Sequence, residues 1–526
     1  MSEPVAPITP DALSLEQQAG QLIIAGFPGT APGPEVQTLI TDCAVGGVCL
    51  FLHNCIGGPD QVRALTSGLQ AMARCAGLPP LLVAIDQEGG TVTRLRHPFA
   101  VFPSQMAQAA TGDLSVAYRV ARAMALEMRA VGVTWNFAPV LDVNNNASNP
   151  VIGVRSFGAH PAQVAEWGVA ALKGYHDGGV LACGKHFPGH GDTHVDSHLD
   201  LPTIPFNWER LDTVELVPFR AAIAAGIPAL MTAHIRFTAM DDLPATLSSR
   251  VLQGVLRERL AYTGLVVTDA LNMSAIANTY SPAEATVLAV AAGADQCIAL
   301  FSPAEVRSAR DALVTAVRSG RIAPHRFHEA VGRVLRLKQQ ASRLPAPLPL
   351  TFPVADHQSL ARQVAADSVT VLRDDGMLPL HTAEAGRIAL IDFMLVRYSM
   401  VEEARQPALH LQECLTPRLP GLRSLVLDAR PTAQESAAAL ALAASCDTLI
   451  LVVRNAALIP EQAALIQTLT ALGKSTIALA ARLPYDAAVC QGARAVLATY
   501  GDPPCSLDAA VAVLLGDAPA HGRLPT

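Results

Sequence analysis

The stretch Val180-Leu181-Ala182-Cys183-Gly184-Lys185-His186-Phe187-Pro188-Gly189-His190-Gly191-Asp192-Thr193-His194-Val195-Asp196-Ser197-His198 sets an apolar run against four histidines, a lysine and two aspartates. An apolar run this short, followed by turn residues, reads as a buried strand over 180–184 with chemistry at its carboxyl end. Pro188, Gly189 and Gly191 disfavour a regular helix and give a loop that can bend sharply. Asp196 and His198 stand two residues apart, so in an extended segment both project to one side and the carboxylate can orient the imidazole for proton transfer. Asp192 and His194 share that spacing. Histidines recur every fourth residue, which on a helix would suit a metal, but the proline and glycines oppose that helix. His-Glu-x-x-His and Cys-x-x-Cys are both absent, so a site without metal is expected rather than a metal site or a histidine-rich surface loop.

Moving outward, short apolar runs alternate with longer amphipathic segments from residue 20 to about 300, the pattern of repeated βα units. Eight strands are expected, at 21–27, 47–52, 81–85, 134–140, 180–184, 229–233, 265–268 and 296–300. Eight such units fit a closed (β/α)8 TIM-type barrel better than an open sheet. Asp86-Gln87-Glu88, Asp142, Lys185-His186, His234 and Asp269 fall at the carboxyl ends of these strands, the face where barrel active sites assemble. Polar loops also begin at strand ends, and His234 fits either account.

A helical pattern over 326–342 runs into Leu344-Pro345-Ala346-Pro347-Leu348-Pro349, whose alternating prolines favour a stiff, extended connector. The chain is therefore divided into a barrel domain, 1–345, and a smaller α/β layered-sheet domain, 346–526. Strands of the second are expected at 368–372, 387–391, 424–427, 448–453, 475–480 and 493–498.

A net charge of -7 with only 16% charged residues argues against nucleic acid or an anionic membrane as partner. A small ligand is the expected partner, with the protein a monomer or homodimer. The N-terminal residues show no basic segment followed by an apolar one, and no run long enough to span a bilayer follows, so a cytoplasmic location is expected. The ten cysteines form no dense framework and read as buried, reduced thiols. Cys183 reads as a core strand residue in preference to a nucleophile.

Several of these motifs occur together and in order: Asp86-Gln87-Glu88-Gly89-Gly90, then Asn136 to Asn144 (NFAPVLDVN), then Asn149 to Gly158 (NPVIGVRSFG), then Lys185 to His198, then Val267-Thr268-Asp269-Ala270-Leu271-Asn272-Met273. In this the sequence resembles the bacterial β-N-acetylglucosaminidases (β-N-acetylhexosaminidases) of glycoside hydrolase family 3, in their longer two-domain form. Ser368 to Arg373 (SVTVLR), Leu378-Pro379-Leu380 and Gly522-Arg523-Leu524-Pro525 resemble that form's second domain. Thr91 stands where the family usually has arginine, and Ala147 where it often has proline.

The resemblance implies a retaining glycosidase that needs neither cofactor nor metal and acts on a small oligosaccharide or muropeptide. It implies Asp269 as nucleophile, the alternative being a helix N-cap before Ala270. It implies His198 as acid/base with Asp196 behind it, an imidazole being suited to proton transfer near neutrality. Asp86 would accept hydrogen bonds from sugar hydroxyls, while Arg155, Lys185 and His186 would donate to the sugar. His190, Asp192 and His194 read as loop structure, and Glu88 as a turn-fixing or functional carboxylate. Three rival functions remain: a phosphorylase, a β-glucosidase taking its acid/base glutamate from the second domain, and a sugar-binding scaffold on an inactive barrel. Under the leading reading none of Glu402, Glu403, Glu413 or Glu461 is needed for the rate.

Overall fold

The computed structural model describes residues 9–381, 385–395, 397–402 and 410–525. In chain order the first ten strands are β1 (Ile23–Ala25), β2 (Gly47–Leu50), β3 (Leu82–Ile85), β4 (Trp135–Asn136), β5 (Leu181–Phe187), β6 (Thr203–Ile204), β7 (Ala229–Thr232), β8 (Arg236–Phe237), β9 (Leu265–Ala270) and β10 (Gln296–Ala299). β6 and β8 pair with each other, and the other eight close in the order β1-β2-β3-β4-β5-β7-β9-β10. Every pairing in the barrel is parallel. The strands are apolar along their length because side chains fill the interior while helices cover the outside.

Two strands depart from expectation in ways that matter for the site. β4 is cut to two residues because Pro139 has no N–H to give the ladder; the chain stays beside β5 through Cys183 N–H to Ala138 O at 2.9 Å, Lys185 N–H to Pro139 O at 3.2 Å and Leu141 N–H to Lys185 O at 2.7 Å. β5 runs on through Lys185 and His186, which belong to the strand and not to the loop after it. Its register against β7 shifts between Gly184 and Phe187. A regular strand would send consecutive side chains to opposite faces; with this irregularity Lys185 and His186 both line the same cavity.

The helix Pro324–Arg343 stops at Leu344, held extended by the proline that follows. The next helix, Ala355–Ser368, still serves the barrel, placing Ala361 and Val364 in its core while Phe352 meets Phe99 edge to face at 4.8 Å. The second sheet comprises β11 (Thr370–Asp374), β12 (Ile388–Met394), β13 (Arg423–Asp428), β14 (Thr448–Val453), β15 (Ser475–Ala480) and β16 (Ala495–Ala498). Its order is β11-β16-β15-β14-β12-β13, with β11 antiparallel to β16 and the rest parallel, a doubly wound arrangement. Met106, Ala107, Ala110 and Val154 of the barrel lie in one core with β12, β14 and β15, so the two sheets are joined by buried apolar surface.

Seven of the ten cysteines are buried, but Cys75 is exposed and Cys414 and Cys505 are partly so; none of the ten forms a disulfide. The expectation of uniformly buried thiols fails at helix ends that the apolar pattern does not mark. Among the described residues no helix is long and apolar enough to cross a membrane.

Candidate active site

The carboxyl ends of the barrel strands surround a cavity of about 190 Å³ lined by Asp86, Arg155, Lys185, His186, His198 and Asp269, among others. Asp196, the remaining expected residue, reaches it through His198. On the floor, Glu88 is fully buried and takes Arg155 Nε and Nη2, each at 2.9 Å. Lys185 Nζ lies 2.6 Å from both Asp86 Oδ1 and Glu88 Oε1. Burial alone would raise the Glu88 carboxyl, but Arg155 and Lys185 overcome it and hold the group well below the usual carboxylate range. Glu88 therefore fixes two cations rather than a turn. Arg155 also gives Nη1–H to Val151 O at 3.0 Å, which leaves one N–H on each terminal nitrogen, and Lys185 keeps one of its three.

Asp142 is a site residue to which the sequence reading assigned no role. Completely buried, it accepts the His186 and His190 backbone N–H groups at 3.1 and 2.7 Å and meets His186 Nδ1 at 2.7 Å. That fixes the His186 ring and leaves Nε2 for the cavity. The sequence marks it as a carboxylate at the carboxyl end of a predicted strand, within the NFAPVLDVN motif, without showing that it holds His186 and the loop after it.

The loop after β5 is held by small residues and side-chain caps. A Cβ on Gly191 would fall 1.8 Å from Val143 O, and Gly189 has φ +145° against Glu215. His190 bridges Thr193 Oγ1 at 2.9 Å and Ser197 Oγ at 3.0 Å, and burial pushes its ring down to about 4, so it is a neutral brace. Asp192 pairs with Arg210 and His194 with Asn146, both as loop structure.

Asp196 and His198 do meet, though not through an extended segment. Asp196 Oδ1 accepts the His198 backbone N–H at 2.9 Å and contacts His198 Nδ1 at 2.7 Å. This is an Asx turn, in which the carboxylate orders backbone and ring together. Burial raises the Asp196 carboxyl, but its bonds to His198 outweigh this and keep it below the ordinary value.

Asp269 is the last residue but one of β9, and Oδ1 accepts the Ala270 N–H at 2.7 Å. No helix begins there, the next one being Ser274–Ala277, so the N-cap alternative is excluded. Burial would raise its carboxyl; His186, His234 and His198 and the Ala270 N–H lower it further than burial raises it. His234 is fully buried, with Nδ1 at 2.8 Å from Thr246 Oγ1 and Nε2 donating to Ala270 O at 3.1 Å. It braces the Asp269 corner. Cys183 is buried behind the site, and burial pushes its thiol far up, as suits a core residue.

Two further contributions were not legible in sequence. Arg94 lines the cavity 4.0 Å from Asp86 and donates to Val401 O at 2.9 Å. Met400 and Val401, from the second domain, form part of the wall. Glu402 lies next to them but is bound to Arg482 Nη1 and the Tyr398 N–H. Glu413 and Glu461 are exposed, and Glu403 lies outside the described residues.

The closed barrel, with its acidic and histidine groups converging at the strand ends, defines an enzyme of the (β/α)8 class. Residues 14–337 match the glycosyl hydrolase family 3 N terminal domain, and the chain belongs to glycoside hydrolase family 3. It is 36% identical over 378 residues to the beta-hexosaminidase A of Pseudoalteromonas piscicida, covering 66% of this chain and 62% of that protein. To the beta-hexosaminidase of Alkalilimnicola ehrlichii it is 40% identical over 290 residues, 54% of this chain and 82% of the relative. The structure of a glycoside hydrolase family 3 beta-N-acetylglucosaminidase from Paenibacillus sp. str. FPU-7 superimposes with a TM-score of 0.92 at 41% identity, over 98% of this chain and 99% of that one. The likeness therefore extends through the second domain.

Proposed function

We propose that this glycoside hydrolase is a retaining β-N-acetylhexosaminidase that removes terminal β-linked N-acetylglucosamine from small glycans such as muropeptide or chitin-type fragments. The observation that carries the reading is that Asp269 and the Asp196-His198 pair face one small cavity floored by Asp86, Arg155, Lys185 and His186. At about 190 Å³ the cavity suits a single terminal sugar, being below the ~300 Å³ at which larger ligand sites begin. The hexosaminidase names of the relatives support the same substrate class.

In the first step the ionised Asp269 attacks the anomeric carbon while His198, protonated on both nitrogens, gives its Nε2 proton to the departing oxygen. Asp196 holds Nδ1 and stabilises the cation. In the second step neutral His198 takes a proton from water, which opens the glycosyl-enzyme and restores Asp269. Asp86 offers an acceptor to sugar hydroxyls, the N–H groups left over on Arg155 and Lys185 offer donors, and His186 presents its Nε2 to the sugar. Water is favoured over phosphate as acceptor because the cations of the cavity, Arg94, Arg155 and Lys185, each lie against Asp86 or Glu88, and a phosphorylase needs cations to spare for its anion. The glucosidase plan is disfavoured because Glu402 is committed to Arg482.

Turnover of an aryl β-N-acetylglucosaminide against the matching glucoside, with and without millimolar phosphate, tests the proposal. Preference for the acetamido sugar, released free, supports it. Preference for the glucoside, or a sugar 1-phosphate product, overturns it.

A further inference from the structure

Away from the active site, a second group of metal-ligating side chains converges on the second domain. His410 and Cys414 lie one turn apart on the helix His410–Leu415, so they share a face. That face packs on the helix Pro504–Leu515, which supplies Asp508. His410 Nε2 stands 2.9 Å from Asp508 Oδ1, Cys414 Sγ 3.2 Å from the same oxygen, and Cys414 Sγ 3.6 Å from His410 Nε2. The three atoms form a closed triangle within 4.8 Å.

We propose that His410, Cys414 and Asp508 form a binding site for a borderline divalent cation of the zinc class, separate from the catalytic cavity. Ligand bonds of about 2.0–2.3 Å in a tetrahedron give edges of roughly 3.3–3.6 Å, so closing this triangle on an ion needs side-chain shifts of only a few tenths of an ångström. Imidazole, thiolate and carboxylate together select zinc over calcium or magnesium, which prefer oxygen alone. The helices hold the ligands in place, and the partly exposed side chains, with Asp508 55% accessible, leave the ion a path from solvent. The exposed Asp508 also leaves the fourth coordination position open to water. Binding forms a metal–sulfur bond and releases the Cys414 proton to solvent. Without metal, Asp508 accepts from both His410 and Cys414, and the same geometry would be a plain hydrogen-bonded triad.

Titrating the full-length protein with Co2+ separates the two. A thiolate ligand gives a sulfur-to-cobalt charge-transfer band in the near ultraviolet, which the histidines of the catalytic site cannot produce. The band should saturate at one equivalent, be displaced by Zn2+, and persist in Cys75→Ser. Cys414→Ala should abolish it, and Asp508→Ala should weaken cobalt affinity at least tenfold, both variants melting like the parent. Absence of the band in the parent, or its survival in Cys414→Ala, overturns the site.

Discussion

His198 is tied to Asp196 through both its ring and its backbone, so the carboxylate sets the direction in which Nε2 can act. On the proposed mechanism the proton it delivers matters most when the leaving group is poor. His198→Ala should therefore lose about 10²–10⁴-fold on alkyl or sugar aglycones and far less on activated aryl glycosides, measured as kcat/KM across a leaving-group series; equal losses across the series would contradict the role. The sequence named Asp86, Arg155, Lys185, His186, Asp196, His198 and Asp269, and the fold brings them to one mouth. Spacing alone left Asp192-His194 equal to Asp196-His198; what separates them is that Asp192 is spent on Arg210. Asp142 and Glu88 were harder to read because a buried carboxylate's partners lie far off in the chain, Arg155 being 67 positions beyond Glu88.

At the scale of elements, all eight barrel strands fall within a few residues of where the apolar runs place them, because both faces of each strand are buried and the signal is continuous. What periodicity misses is local chemistry: Pro139 truncating β4, the irregularity that turns both Lys185 and His186 inward, and the Asx turn in place of an extended segment. The loop after β5 depends on close backbone contact at Gly191. Gly191→Ala drives a methyl into Val143 O, displacing the loop that carries His198, and should cost roughly 10²-fold in kcat/KM. Gly254→Ala, with open space around it, is the control. Near-normal activity in Gly191→Ala would mean that the loop tolerates displacement.

For the whole molecule, the proline run 344–349 marks the connection between the two sheets, yet nothing in the sequence reveals that they share a core or that Met400 and Val401 reach the catalytic cavity, since patterning reports an element's faces and not its partners. Asp486 sits in this joint, beside Tyr485, whose hydroxyl accepts from Asn144 of the barrel at 2.9 Å. Burial raises its carboxyl to about 7. The folded protein then keeps a proton that the unfolded chain loses above about pH 4, so this group's contribution to stability is full below pH 4 and falls as pH rises towards 7. Asp486→Asn should flatten that part of the Tm-against-pH curve; an unchanged slope would show that the group does not titrate there. Glu402→Gln, which weakens the ion pair to Arg482, should lower Tm while leaving kcat within a few-fold. A loss of several orders of magnitude in rate would instead indicate a catalytic glutamate in the second domain.

The central claim is that Asp269 is the nucleophile at the mouth of this barrel. Incubation with a slow 5-fluoro derivative of the N-acetylglucosaminide, followed by proteolysis and peptide mass mapping, tests it most directly. The account predicts one equivalent of label on the peptide carrying Asp269, with none in Asp269→Asn. Label on any other residue, or turnover retained in Asp269→Asn, would contradict it.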